Sequence, residues 1–270
     1  MRIIVFMHFR NQTNSIPFAR VASLVLVILL VASPAFCGLQ NLIVDGDFDN
    51  LGYTPTSTFT LDTIYNSGNP NAVMHSINGW YLVNPTSSTN LECVVIQTDI
   101  QNCQHAGLAF GAWPGLSKNG GNVLAVDGDP TFRVAVAQDI TGLVINQQYT
   151  LTFEQASTSQ YITNSVATTE QWQVTFGNPA TNGDVQTSTL MHTAANSDTP
   201  WTTQTMTFTA HAVTQTLSFL ALGTPTGYPP VVLMDGASLL VATPEPDTFA
   251  LVGFCLIALP MLSRKFGKKS

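Results

Sequence analysis

Glu92, Glu154 and Glu170 carry the side chain that a glycosidase uses as acid and nucleophile, a reaction that needs two carboxyls ~5 to 9 Å apart. Their spacing gives no sign that they converge, and Glu154 falls on the polar side of an alternating segment. Serine, histidine and acidic residues all occur, yet no Gly-x-Ser-x-Gly elbow, no HExxH pair and no phosphate loop is present. His75, His105, His192 and His211 stand singly among polar or turn residues. The expectation is a chain that is not an enzyme.

Binding chemistry has more material. Sugars are held by flat aromatic rings against the apolar faces of the pyranose, with amides and carboxylates reading the hydroxyls. Trp113 lies in the stretch Ala112-Trp113-Pro114-Gly115-Leu116-Ser117-Lys118-Asn119-Gly120-Gly121, which has no strand pattern. Its indole is a candidate for stacking on a ligand, with packing against the fold as the competing reading. Tyr65, Tyr161 and Tyr228 sit in other polar, turn-rich segments, and Tyr228 is the second ligand-binding candidate. Trp80, Trp172 and Trp201 are expected in the core, because strand alternation surrounds them.

Both ends of the chain read as targeting segments. At the start, Arg2, Arg10 and Arg20 precede an apolar stretch from Val21 to Ala32, and Ser33-Pro34-Ala35 offers small residues at the positions a signal peptidase reads. Residues 1–35 are therefore expected to be a signal peptide; the bulky Phe36 before Cys37 argues against lipid attachment. At the end stand Pro244-Glu245-Pro246, an apolar run from Phe249 to Leu262, and then Arg264, Lys265, Lys268 and Lys269. That run is short beside the ~20 residues that cross a bilayer, so it crosses thin or tilted. The basic cluster would stay cytoplasmic and leave the body on the far side of the membrane.

Between Phe36 and Thr243 the chain carries two cations, Lys118 and Arg133, against 14 acidic residues, a net charge of −12. A surface of that sign repels nucleic acid and anionic lipid, which are bound through Lys and Arg, so nucleic acid is excluded as a partner. Cys37 lies at the processing site and Cys255 in the apolar tail, leaving Cys93 and Cys103 in the body. In an oxidising compartment these two are expected to form a disulfide, whose small loop would contribute on the order of 2–3 kcal/mol.

The elements that must position these residues follow from periodicity. Tyr149, Leu151 and Phe153 alternate with Thr150, Thr152 and Glu154; Trp172, Val174 and Phe176 alternate with Gln173 and Thr175; Met206 and Phe208 alternate with threonines. Further strands are expected at 41–44, 77–83, 91–97, 123–126, 132–138, 185–191, 215–222 and 231–241, separated by clusters of Gly, Pro, Asn and Asp. Strands with one apolar face must bury it against a second sheet, so residues 36–243 are expected to be one all-β domain, an antiparallel β-sandwich of jelly-roll topology.

The tail resembles the PEP-CTERM sorting signal of Gram-negative, polysaccharide-secreting bacteria, on the three parts at 244–270 taken in order. The resemblance implies processing by an exosortase-type enzyme near Pro244, Glu245 and Pro246, and a place in the cell envelope, at the surface or in an extracellular polysaccharide or biofilm layer. The body resembles galactose-binding-like jelly rolls, the superfamily of many carbohydrate-binding modules. The carrying segments are Asn41–Asp49, Asn78-Gly79-Trp80, Gly121–Gly128, Gln138-Asp139-Ile140, Gln148–Phe153 and Met234–Leu239. Asp45, Asp49 and Gly236 depart from the usual residues there. The resemblance implies that first and last strands lie side by side, which would bring Asp49 and Asp235 together. Two carboxylates that close need a cation or a proton. Calcium, which takes six to eight hard oxygens, fits as a structural ion; hydrogen bonding of each aspartate to nearby backbone is the alternative.

Overall fold

The computed structural model describes residues 40–50, 78–83, 110–131, 135–161, 165–178, 180–181 and 183–242, together with the backbone of 92–96. The expected signal peptide, the sorting tail with Pro244, Glu245 and Pro246, and Cys103 and Tyr65 lie outside these residues.

Eleven strands carry the described chain: β1 (Tyr81–Val83), β2 (Glu92–Ile96), β3 (Asn122–Asp127), β4 (Ala135–Thr141), β5 (Gln148–Ser159), β6 (Thr168–Phe176), β7 (Asp184–Thr187), β8 (Met191–Thr193), β9 (Thr202–Thr209), β10 (Thr214–Thr224) and β11 (Pro230–Val241). They form two antiparallel sheets. One runs β1-β4-β10-β6-β7 with β8 also paired to β6, and the other runs β2-β3-β11-β5-β9. From β3 to β6 successive strands alternate between the sheets, and β10 and β11 return into the middle of each, which is the jelly-roll path.

Alternation along the strands builds the core. Trp172, Val174 and Phe176 on β6 face Tyr149, Leu151 and Phe153 on β5 and Met206 and Phe208 on β9 across the gap between sheets. Phe219 on β10 is the aromatic hub. Its ring centroid lies 5.5 Å from Phe153, 6.0 Å from Trp80 and 6.1 Å from Trp172. Trp80 and Trp172 are thus core residues as their patterns imply, and the Trp172 indole N–H donates to Leu233 O at 3.2 Å.

Several boundaries differ from those read off the chain. The opening segment 40–48 bends instead of forming a strand, with Asp45 and Phe48 at positive φ, although Leu42 N–H still donates to Leu239 O. Strand β4, described over Ala135–Thr141, runs three residues past the expected end at 138, and residues 132–134 lie outside the described residues. The 185–191 segment splits into β7 and β8, both on β6, because Ser188 turns inward to accept from Trp172 N–H. Strand β11 breaks register between Asp235 and Ser238, and Gly236 takes a φ of +61° there. A Cβ at Gly236 would collide with the Asn119 amide, so the bulge needs glycine on two counts.

Candidate functional site

The outer face of the five-stranded sheet carries a second, smaller apolar cluster. Val123 and Ala125 on β3, Val231 and Leu233 on β11 and Ala156 on β5 are all fully buried, though they point away from the main core. What buries them is the segment 110–121, which lies across the sheet like a strap. Gly111 N–H donates to Ser159 O at 2.8 Å, Thr158 Oγ1 donates to Ala112 O at 2.7 Å, and Ser117 Oγ donates to Asp235. From the side, the Trp201 indole N–H donates to Gly115 O at 3.1 Å.

Phe110, Trp113 and Trp201 are the half-buried residues that pack on this cluster. Phe110 and Trp113 rings sit 5.3 Å apart with 49° between their planes. The Trp113 indole nitrogen is buried and has no hydrogen-bond partner. Trp201, expected in the core, lies instead on the outer face: it shares the odd-numbered side of β9 with Thr203, Thr205 and Thr207, opposite the buried Met206 and Phe208. Phe110 forms a bridge to Gln160, and Gln160 N–H donates to Pro229 O at 3.3 Å. The strap's start, the exposed Tyr161 and the half-buried Tyr228 therefore meet at one end of the sandwich. Sequence reasoning missed Phe110 and Trp201 as parts of this group; Phe110, three residues before Trp113, was the available signal.

The turn that bears Tyr228 is tied down by buried carboxylates. Gly227 N–H donates to Asp129 at 2.5 Å, and Asp129 N–H donates to Asp127 Oδ1 at 2.7 Å. Asp127 Oδ2 is buried without a partner. Burial, with the Asp129 charge adding, pushes the Asp127 carboxyl up to about 7 against the hydrogen bond from Asp129.

Asp49 and Asp235 come into one neighbourhood, though each is already engaged. Asp49 Oδ1 accepts from Asn122 N–H at 2.7 Å; Asp235 accepts from Gly236 N–H at 2.6 Å and from Ser117 Oγ. Burial pushes the Asp235 carboxyl up to about 6, its hydrogen bonds oppose this, and the charges of Asp49 and Asp47 add to it. Asp45 is likewise raised to about 6, first by burial. Its Oδ1 accepts from Asn50 N–H at 2.9 Å while Oδ2 is buried and unpaired. An open depression of about 440 Å³ lined by Asn41, Asp45, Asp47, Asn119 and Gly236 lies beside them. Among the described residues no three His, Cys, Asp or Glu side chains form a metal-holding group.

Glu154 and Glu170 open on different spaces. Glu154 is on the outer face, yet the fold covers it and Thr203 Oγ1 donates to it at 3.0 Å. Glu170 is wholly buried between the sheets, where Thr193 Oγ1 donates to Oε2 at 2.7 Å, Oε1 has no partner and burial raises its pKa. Cys93 stands on β2 opposite Ala125, and its expected partner Cys103 lies outside the described residues.

No family model and no curated protein matches the chain. Several solved structures align with parts of the chain at low similarity. The galactotriose-bound TmCBM61 aligns at 8% identity and TM-score 0.40, over 75% of this chain and 99% of that one. The CBM22-1 xylan-binding domain of Paenibacillus barcinonensis Xyn10C aligns at 9% and 0.33, over 62% and 88%. The arabinose-bound MgGH51 α-L-arabinofuranosidase aligns at 15% and 0.42, over 76% of this chain but 27% of that one.

Proposed function

We propose that this protein is an exported, non-enzymatic β-sandwich that binds a glycan through the aromatic group at the strap end. The observation that supports this best is Trp113: a large ring fixed on an apolar floor, half open to solvent, with Phe110, Trp201, Tyr161 and Tyr228 gathered around the same end. Such rings are pre-positioned, so stacking a sugar on them costs little conformational entropy. The test is a glycan array probed with the full chain in lipid nanodiscs. Saturable binding to one glycan class that disappears in Trp113→Ala supports the reading, and silence across neutral and acidic glycans overturns it.

In the second reading the body is a structural component of a surface or extracellular polysaccharide layer, and only the tail is recognised, by an exosortase-type enzyme. Its support is the sequence at 244–270. Exchange of Pro244-Glu245-Pro246 for Ala-Gln-Ala in the native host leaves the apolar run and basic end intact. A processing signal then fails, and the variant accumulates in the membrane with Lys268 and Lys269 still attached; an unchanged mass in both forms rejects processing.

A structural calcium at Asp49 and Asp235 belongs to the same proposal. The unpaired Asp45 Oδ2 and the mutual repulsion of Asp45, Asp47, Asp49 and Asp235 favour a hard cation there.

A further inference from the structure

The opposite end of the sandwich presents a different surface. The β4–β5 loop holds Val144 and Ile145 at 62% and 51% exposure, and the β9–β10 loop holds Val213 at 61%. The two loops are bonded together: Leu143 N–H donates to Val213 O at 3.1 Å and Asn146 N–H to Ala210 O at 2.7 Å. They are also rigidly braced. The buried Tyr149 hydroxyl accepts from Val144 N–H at 2.9 Å, and Gln215 Oε1 accepts from His211 N–H at 2.6 Å and Ala212 N–H at 3.2 Å. Three β-branched side chains are therefore held out into water on a surface otherwise rich in Thr, Ser and Asn, the pattern of an interaction patch.

The two loops themselves, residues 140–148 and 209–217, contain no Asp or Glu; the exposed Asp139, across from Thr216, accepts from Thr216 Oγ1 at 2.7 Å and from the Tyr81 hydroxyl at 2.8 Å. The nearby Asp184 is engaged by Thr209 N–H at 3.2 Å and lies 3.9 Å from His211 Nε2.

The chain leaves the domain beside this patch. Val241 pairs with Tyr149, and Ala242 N–H donates to Gln148 O at 2.9 Å. Six residues, Thr243–Thr248, then separate Ala242 from the apolar run that starts at Phe249. Fully stretched, the seven steps from Ala242 to Phe249 reach ~24 Å, whereas β5 alone extends ~36 Å from Gln148 to Ser159. Anchored by that run, the domain can rest this tip on the bilayer, and with its strands upright the strap end then lies farther from the lipid than the tether reaches.

We propose that the tip formed by Val144, Ile145 and Val213 docks into the interfacial layer of the membrane that holds the C-terminal tail, so that the aromatic strap end faces away from the lipid. The contact is apolar, made by three aliphatic side chains on loops that carry no carboxylate of their own. The inference rests on the tail's inserting into a membrane and not on glycan binding.

The test reconstitutes the full chain in phosphatidylcholine vesicles with the photo-crosslinker p-benzoylphenylalanine at Val144, at Val213, or at the 67%-exposed Tyr161 of the strap end. All three positions are exposed, so the substitutions leave the core intact. The expected result is lipid adduct by mass spectrometry at 144 and 213 at least about tenfold above that at 161, as shallow interfacial insertion of one end requires. Equal adduct at all three sites overturns the proposal, as does crosslinking of 144 to a second copy of this chain. A chain that stays with the vesicles after alkaline extraction yet gives no adduct overturns the docking alone. One that washes off overturns the docking together with the tail reading, and glycan binding by the strap end is untouched in either case.

Discussion

The two ends of the sandwich solve the same problem in opposite ways. At the strap end the sheet's outer face is apolar, and the chain covers it with its own residues 110–121, leaving aromatic rings half exposed and carboxylates such as Asp127 and Asp129 wholly buried. At the tip end the loops are short and self-bonded, no strap covers them among the described residues, and aliphatic side chains stay in water. The first end holds its polar groups inside at the expense of perturbed ionisation; the second exposes apolar groups on loops that carry no carboxylate of their own. Rings fixed on a floor suit a ligand with flat faces, whereas bare aliphatic tips suit a fluid apolar phase.

The comparison assumes that one core joins the two ends. Phe219 contacts Trp80, Phe153 and Trp172, so Phe219→Ala is expected to cost about 3–5 kcal/mol and to lower a single, shared melting transition. Two separate transitions in calorimetry would show that the ends fold independently.

The next largest effect separates the ends by pH. Burial raises the carboxyls of Asp127 to about 7 and of Asp45 and Asp235 to about 6, above their ordinary 3.8. The folded state therefore binds protons more tightly than the unfolded chain. Stability is full below pH ~4 and is lost as pH rises through 6 to 7, by on the order of a few kcal/mol. Hydrogen-exchange protection factors, corrected for the intrinsic base-catalysed rate, are expected to fall around β3 and the Tyr228 turn between pH 5 and pH 8 and to hold in the tip loops, whose own residues lack carboxylates. Asp127→Asn keeps the acceptor for Asp129 N–H and is expected to flatten this dependence. A melting temperature that rises over the same interval contradicts the assignment.

Trp113→Ala sharpens the comparison from the strap end. The residue is half exposed on a satellite cluster, so about 1–2 kcal/mol of stability is expected to go, against a loss of glycan binding of about tenfold or more. If stability falls as far as it does in Phe219→Ala, the ring is a core residue and the site lies elsewhere.

The smallest effect concerns the middle of the sheet. Calcium at Asp49 and Asp235 stabilises only the folded state, so Asp235→Ala is expected to lower the melting temperature by a few degrees more in calcium than in EDTA. Equal shifts in the two buffers leave Asp235 as the acceptor for Ser117 and Gly236 alone.

The chain alone settled the all-β class, because the period-2 alternation at 149–153, 172–176 and 206–208 admits one apolar face per strand, and such faces must pair. It also marked Trp80 and Trp172 as core and Trp113 as standing in a loop. Tertiary structure decided what that loop does. No local signal says that residues 110–121 fold back over Val123, Ala156 and Val231, since the contact joins segments far apart in sequence and depends on which face of the sheet is left uncovered. Trp201 was half legible: alternation from the inward Met206 and Phe208 puts position 201 on the outer face, and only the fold shows that Gly115 of the strap meets it there. The absence of a local signal holds again for Val144, Ile145 and Val213, separate hydrophobic residues in two loops until hydrogen bonds at the tip set them side by side. Alternation is a property of neighbours, and strand order is not, so the sequence determined the layers while only the assembled sheets determined their two unlike ends.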